Sequence, residues 1–193
     1  MSTDLVLVAK SVEQSFGGLI HKRIPGALQQ VTNVIDARSH SRINALVSDA
    51  RERGAKITTV KGEGFASTSV IEHVTADMNF WITESFGPLL GIRTFESDDE
   101  AVRMVNDSPY GLSGAIFSRN HLRALKMAKK LEVGAVHVNS ATVHDEASLP
   151  HGHSCYQSSS VQLIDWLIDY VTIQSSQVVP SDFGRRFNLV SSN

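Results

Sequence analysis

Short apolar runs alternate along this chain with longer stretches in which apolar residues recur every three or four positions. A short run bounded by glycine, proline or charged residues is typical of a buried strand. Strands are therefore predicted over residues 5–9, 56–60, 70–74, 89–95, 112–118 and 135–139. The first run, LVLVA, is apolar throughout, which favours a strand that is buried on both faces.

The stretches with helical spacing carry start and stop signals. Helices are predicted over residues 11–20 and 36–53, from a start at 97–100 to an end within 106–110, and over residues 120–131. Ser11 and Ser97 each precede a glutamine or glutamate by three residues, which is the spacing of a capping box. Gly54 is a candidate C-cap, and Pro25 with Gly26 should end the first helix.

The alternation of strands and helices predicts the fold class, because strands joined by helical crossovers lie parallel in one sheet. We expect an α/β protein with an open parallel sheet flanked by helices. Residues 161–173, VQLIDWLIDYVTI, fit neither period cleanly and leave helix and strand open. Their larger apolar residues predict a packed or interface surface rather than a cofactor site. These are Trp166, Leu167, Tyr170 and Val171.

The composition narrows the class of protein and its partners. Of 193 residues, 41% are hydrophobic and 20% charged, which suffices for a sizeable core. The net charge of -2 gives no basic surface for nucleic acid or anionic membranes. No stretch approaches the roughly 18–20 apolar residues that cross a bilayer, and the amino terminus does not resemble a signal peptide. With one cysteine, the chain fits a reducing compartment, so we predict a cytoplasmic protein without nucleic-acid or membrane partners.

The segment TESFGPLL holds the first candidate site, with Glu84, Phe86, Gly87 and Pro88. We interpret it as a strand-turn-strand joint, and in open α/β sheets ligands bind where loops meet at the carboxyl ends of the strands. A carboxylate there can accept hydrogen bonds from ribose hydroxyls, and an aromatic ring can stack on a flat ligand. The residues alone also allow a Gly-Pro turn with a core phenylalanine and a solvated glutamate.

Several stretches in a fixed order carry a family resemblance: ARSHSRINALVSDARERGAKI, VTADMNFWITESFGP, NDSPYGLSGAIFSRN, ALKMAKKLEVGAVHVN and DEASLPHG. From Asp4 to about Gly152, the chain resembles the nucleophile-bearing domain of the aldehyde dehydrogenase superfamily. The resemblance implies a partial catalytic domain over residues 1–152 and a divergent tail over residues 153–193. The segment HVNSATVHDE resembles family members that act on aromatic aldehydes such as salicylaldehyde or vanillin.

The resemblance implies oxidation of an aldehyde to a carboxylic acid with NAD or NADP, through attack by a cysteine thiolate and hydride transfer to the nicotinamide. Glu84 matches the glutamate that holds the nicotinamide ribose, and Phe86 matches the aromatic residue near the nicotinamide ring. Asn139 matches an asparagine near the substrate funnel, and a hydrogen bond that bridges two loops is the alternative for it. The implied partners are a small-molecule aldehyde and a homo-oligomer or a full-length homologue.

The resemblance also implies which parts of the chemistry are missing. In the family, the nucleophile lies in a Gly-Gln-x-Cys segment directly before a stretch that resembles residues 1–4, and this chain begins at that methionine. The general-base glutamate and the cofactor domain lie further upstream. We therefore expect no catalytic residue in these 193 residues and no turnover by them alone. The alternative is a non-catalytic remnant, or a partner subunit that packs with full-length aldehyde dehydrogenase.

Two further groups of residues could carry chemistry. Cys155, beside His151 and His153, could act as a substitute nucleophile, but we predict an incidental loop cysteine that is not catalytic. Imidazoles at His137, His144, His151 and His153 could in principle bind a metal. His137 is a predicted strand residue and His144 belongs to a family-like loop, so we predict no metal site.

Overall fold

The computed structural model describes residues 3–27, 34, 36–60 and 67–142 of the chain. The chain divides into an amino-terminal unit, Ser2–Phe95, and a carboxy-terminal unit that begins at Glu96. Each unit has its own sheet and its own cluster of buried apolar side chains.

Strands and helices of the amino-terminal unit follow the predicted order, with one short helix added. They are β1 Leu5–Ala9, α1 Glu13–Ala27, α2 Ala37–Glu52, β2 Lys56–Val60, β3 Thr68–Glu72, α3 Asn79–Ile82 and β4 Leu89–Phe95. β3 begins and ends two residues earlier than predicted, and a turn of 3-10 helix, Lys10–Val12, leads into α1. In the described ranges, no helix combines the length and apolar character that a bilayer crossing demands.

The sheet of this unit is mixed rather than wholly parallel. Within its described residues, four strands lie in the order β1-β4-β3-β2. β1 and β3 run parallel to β4, whereas β2 runs antiparallel to β3 with Thr58 opposite Val70. The predicted α/β fold with a mainly parallel sheet is confirmed, and β2 is the strand that departs from the parallel direction. Only residues 61–67 separate β2 from β3, and a parallel crossover needs about a dozen residues or more.

Two details of β1 and α1 differ from the sequence expectation. β1 lies at the sheet edge, where Val8 is buried and the other strand residues are half-buried, so burial on both faces was a wrong prediction. An edge strand has one neighbour and remains open to solvent on its other side. α1 begins at Glu13 rather than Ser11, and Pro25 and Gly26 lie inside its last turn. A proline there removes one backbone hydrogen bond while the preceding turns keep theirs.

The core of the amino-terminal unit lies between α2 and the sheet. Ile43, Leu46 and Ala50 are the buried residues of α2 and fall on one helix face. Asp36 caps this helix by accepting a hydrogen bond from the Ser39 N–H at 2.7 Å. The helix face packs in one cluster with Ala55, Ile71, Val74, Met78, Phe80 and Leu89.

Asp49 of α2 fixes the short helix α3. Its carboxylate accepts hydrogen bonds from the Asn79 backbone N–H at 2.7 Å and from Asn79 Nδ2 at 3.0 Å. Arg53 Nε donates to the same carboxylate at 3.0 Å. The Asn79 N–H is the largest influence that lowers the pKa of Asp49, because it stabilises the charged form. α3 was not predicted, since four residues show no period and the carboxylate that accepts its first N–H is distant in sequence.

The carboxy-terminal unit contains α4 Asp98–Asn106, β5 Ser113–Ile116, α5 His121–Ala128 and β6 Ala135–Val138. In the part of this unit that the structure describes, β5 and β6 form a parallel pair with Gly114 opposite Val136. Ser97 Oγ accepts the Glu100 N–H at 3.2 Å, so the predicted cap of α4 is confirmed. The buried cluster comprises Val102, Ala124, Leu131, Val133, Val136 and Val138.

Polar contacts tie both ends of α4 to the segment around α5. Arg123 Nε donates to the two carboxylate oxygens of Asp98 at 2.8 and 3.0 Å, and this pairing lowers the pKa of Asp98. Asn106 Nδ2 donates to the Lys130 carbonyl at 2.9 Å, and Asn106 Oδ1 accepts the Glu132 N–H at 3.0 Å. Together these contacts fix the crossover between β5 and β6 against α4.

Gly91→Ala should destabilise the amino-terminal unit. A Cβ at Gly91 would lie 2.3 Å from Phe80 Cε1 and 3.0 Å from Leu5 Cδ1, so the ring must move. Overpacking of this kind costs about 1–3 kcal/mol, measurable by urea unfolding. The control is Gly18→Ala, where a Cβ on α1 meets nothing within 4 Å and should stabilise the helix by about 0.5–1 kcal/mol. Wild-type stability of Gly91→Ala would contradict the packing described.

Asp49→Asn should lower stability at neutral pH and flatten its pH dependence. The folded-state pKa of Asp49 lies below the unfolded value of about 3.9, so its contribution is complete above about pH 5 and disappears as pH falls through the folded pKa. We expect a loss of about 1–3 kcal/mol at pH 7, followed by thermal or urea unfolding at several pH values. Glu52→Gln, an exposed change on the same helix, is the control; equal pH profiles in both variants would refute the prediction.

Candidate functional site

The turn from Glu84 to Pro88 connects α3 to β4 and leads into the amino end of that strand. The Pro88 carbonyl accepts the Ser69 N–H at the start of β3 at 3.0 Å, and Asp4, directly before β1, accepts the Ser85 N–H. The turn therefore lies at the amino ends of β1, β3 and β4. We expected a strand-turn-strand joint at the carboxyl ends of the strands, and this prediction was wrong. The helix α3 precedes the turn and returns the chain to the end of the sheet where the parallel strands begin.

Ser85 is the anchor of this turn. It is completely buried, at 0% exposure, and its polar groups are hydrogen-bonded. Its N–H donates to Asp4 Oδ2 at 2.8 Å, and its carbonyl accepts from Arg42 Nε at 3.2 Å and Nη2 at 3.1 Å. Its hydroxyl bonds to Gly87, accepting the N–H at 3.2 Å and donating to the carbonyl at 3.3 Å. A buried backbone needs such partners, and here side chains rather than strands supply them.

The residues on either side of Ser85 project outward. Glu84 is exposed, and Phe86 is 69% exposed, so the alternative of a core phenylalanine is wrong. Phe86 has a φ of 44°, a left-handed conformation that costs a non-glycine residue about 1–3 kcal/mol. The guanidinium carbon of Arg42 lies 5.6 Å from the centroid of the Phe86 ring. The turn thus presents a carboxylate and an aromatic ring from a fixed backbone.

Gly87 permits the close approach of α2 to the turn. A Cβ at Gly87 would lie 2.3 Å from Cδ1 and 2.8 Å from Cγ1 of Ile43. Consecutive residues of α2, Arg42 and Ile43, therefore contact consecutive parts of the turn. Glu84 and Phe86 are predicted site residues, whereas Asp4 and Arg42 were not predicted, because they lie far away in sequence and belong to no local motif.

Asn139 belongs to the carboxy-terminal unit, where it follows the last residue of β6. Its φ is 57°, and its N–H donates to the Ile116 carbonyl at 2.8 Å. Asn139 Oδ1 accepts the Ser118 N–H at 2.8 Å, while Nδ2 donates to the Ser118 carbonyl at 3.0 Å. The side chain thus extends the ladder between β5 and β6 beyond the strands. These hydrogen bonds correspond to the alternative interpretation, in which Asn139 bridges two loops. A contact between Asn139 and a substrate stays a prediction.

The remaining candidates lie in β6 or outside the described residues. His137 lies in β6, as predicted, and it is buried. Among the residues that the structure describes, no group of three or more histidine, cysteine, aspartate or glutamate side chains could hold a metal ion. Candidates that lie outside the described residues are His144, His151, His153, Cys155, Trp166, Leu167, Tyr170 and Val171.

Substitutions at Asn139 separate its backbone role from its side-chain role. Asn139→Gly keeps the left-handed φ but loses both bonds to Ser118, so we expect destabilisation by about 1–3 kcal/mol. Asn139→Ala loses the same bonds and also pays the strain of positive φ, about 1 kcal/mol more. Urea unfolding of the three proteins measures both differences. Wild-type stability of Asn139→Gly would show that the bridge contributes nothing.

Comparison with known sequences points to one family. The sequence profile of the aldehyde dehydrogenase family matches residues 4–160. A vanillin dehydrogenase of Pseudomonas sp. (strain HR199 / DSM 7063) is 40% identical over 124 residues, which are 62% of this chain and 25% of that protein. A salicylaldehyde dehydrogenase of Pseudomonas putida is 33% identical over 163 residues, 79% of this chain and 34% of that protein. The chain thus spans a quarter to a third of the length of these relatives.

Solved structures of related enzymes share the fold. The salicylaldehyde dehydrogenase of Pseudomonas putida G7, complexed with salicylaldehyde, superposes with a TM-score of 0.69 at 28% identity, covering 85% of this chain and 37% of that one. The NADP-dependent glyceraldehyde-3-phosphate dehydrogenase of Bacillus halodurans C-125, complexed with NADP, gives 0.68 at 31% identity, covering 78% and 33%. With a family profile matched over most of its length, this chain belongs to the aldehyde dehydrogenase family.

Proposed function

We propose that this chain is part of an enzyme that oxidises an aromatic aldehyde to a carboxylic acid with NAD or NADP, and that its Glu84–Pro88 turn positions the cofactor. The observation that carries the proposal is the exposure of Glu84 and Phe86 on either side of the buried, hydrogen-bonded Ser85. Membership of the family supports the reaction class. Similarity to vanillin and salicylaldehyde dehydrogenases supports an aromatic substrate.

The chemistry of the turn fits a nicotinamide nucleotide. The Glu84 carboxylate can accept hydrogen bonds from ribose hydroxyls, and the exposed Phe86 ring can pack against a flat ring. When bound, NAD or NADP supplies the hydride acceptor. The contribution of the turn is to bind and orient, and a fixed backbone limits the conformational entropy lost on binding.

On the substrate side, we assign Asn139 to shaping the loop that follows β6. Its amide is engaged with Ser118, so it acts on an aldehyde through the conformation of that loop. We assign the nucleophile and the general base to residues outside these 193, since the one cysteine, Cys155, does not match the family's nucleophile segment. These 193 residues by themselves then bind and orient without oxidising.

Composition supports a proposal about the cellular location and the partners of this protein. A single cysteine supports a reducing, cytoplasmic location. The proposed partners are a small-molecule aldehyde and either a second copy or a full-length homologue that completes the active site. The net charge of -2 supports neither a nucleic-acid nor a membrane partner.

Cofactor binding is the direct test of the turn. In saturation-transfer NMR with NAD+ and with NADP+, nicotinamide protons should receive saturation from the wild-type chain. Glu84→Gln and Phe86→Ala should each weaken binding about tenfold, because each removes one of the exposed contacts. The exposed Glu52→Gln variant is the control and should bind as wild type does. Equal affinity of the Glu84 and Phe86 variants and the control would refute the assignment.

Turnover tests the division of roles. We expect the 193-residue chain to give no reduced cofactor from salicylaldehyde or vanillin with NAD+ or NADP+. Turnover that Cys155→Ser abolishes would contradict this expectation and identify Cys155 as the nucleophile. If the chain is instead a partner subunit, mixing it with a full-length homologue should change that enzyme's rate while the chain alone remains inactive.

A further inference from the structure

The Phe86 conformation requires support from outside the turn. Its φ of 44° is unfavourable for a residue with a side chain, and the residue is 69% exposed, so burial does not compensate the strain. Ser85 and Gly87 bond to each other through the Ser85 hydroxyl, which closes the turn but does not attach it to the rest of the unit. Residues from other elements must therefore hold the turn in place.

Beyond the backbone hydrogen bond to β3, the turn is attached by the side chains of Asp4, Ile43 and Arg42, each in a different way. Asp4 accepts the Ser85 N–H at 2.8 Å, and Ile43 occupies the space that a side chain at Gly87 would need. Arg42 donates twice to the Ser85 carbonyl, at 3.2 and 3.1 Å, and its guanidinium also lies 5.6 Å from the centre of the Phe86 ring. Of these attachments, the one from Arg42 reaches both the buried anchor and the exposed ring.

The chemistry of arginine suits this double contact. A planar guanidinium can direct two N–H groups at one carbonyl while its face or edge lies near an aromatic ring. The carbonyl that it binds belongs to the peptide unit joining Ser85 to Phe86, so the contact constrains the orientation of that unit. Because Arg42 is half-buried on α2, its own side chain has restricted freedom.

We infer that Arg42 is a positioning residue for the Glu84–Pro88 turn, because it holds the Ser85–Phe86 peptide and lies against the Phe86 ring. It thereby sets the directions in which Glu84 and Phe86 face a ligand. Its effect on a nicotinamide nucleotide rests on the proposed function. Its effect on the turn can be measured in the absence of any ligand.

Amide hydrogen exchange of the full 193-residue chain tests the positioning role. In Arg42→Met, exchange at Ser85 and Gly87 should accelerate about tenfold or more beyond any change that lower overall stability causes at the amides of α2. Arg42→Lys should give intermediate exchange, since one ammonium group can replace part of the donation. Arg51→Met, the same change at an exposed position of α2, should leave both amides unaffected. Wild-type exchange in Arg42→Met would overturn the inference.

If Arg42→Met does not fold, amide exchange in Arg42→Lys tests the positioning role instead. Faster exchange confined to the turn in that variant supports the positioning role, and wild-type exchange overturns it. A titration with nicotinamide mononucleotide then separates this inference from the proposed function. Weaker binding in Arg42→Lys than in Arg51→Met supports the role at the ligand. If the wild type does not bind this probe, the proposed cofactor contact fails, and exchange alone decides the role of Arg42.

Discussion

The buried peptide groups of Ser85 are the constraint on which the candidate site depends. A backbone N–H and carbonyl removed from water must be hydrogen-bonded, and a tight turn offers no neighbouring strand to do this. Asp4, directly before β1, accepts the Ser85 N–H, and Arg42 of α2 donates to the Ser85 carbonyl. Both charged side chains converge on Ser85 and hold the centre of the turn by hydrogen bonds, while Glu84 and Phe86 remain exposed.

Hydrogen bonds from side chains to backbone groups also hold two other connections of the chain. Asp49 accepts the first N–H of α3, and Asn139 uses its amide to continue the pairing of β5 and β6. In each case a polar side chain from a regular element, or from its end, satisfies the backbone of a connection. Apolar packing in the two clusters fixes the elements, and these polar contacts fix the connections that carry the candidate site residues.

Local chemistry made several elements predictable. The bounds of β1, β2 and β4 agree with the predicted strands, and Ser97 caps α4 as predicted. The conformation of Gly54, with φ 88°, agrees with its predicted place at the end of α2. Of the candidate site, the sequence supplied Glu84 and Phe86 through a family resemblance, and it left open whether Phe86 was buried.

The sequence by itself determined the period of most strands and helices, the polarity of their ends and membership of a family, because each is encoded in neighbouring residues or in short motifs. Tertiary structure decided the reversed direction of β2, the existence of α3 and the support of the turn. Ser85 is hydrogen-bonded to Asp4 and Arg42, which lie 81 and 43 positions before it in the sequence. Such contacts depend on where the folded chain brings its elements together, and no local pattern of residues encodes that.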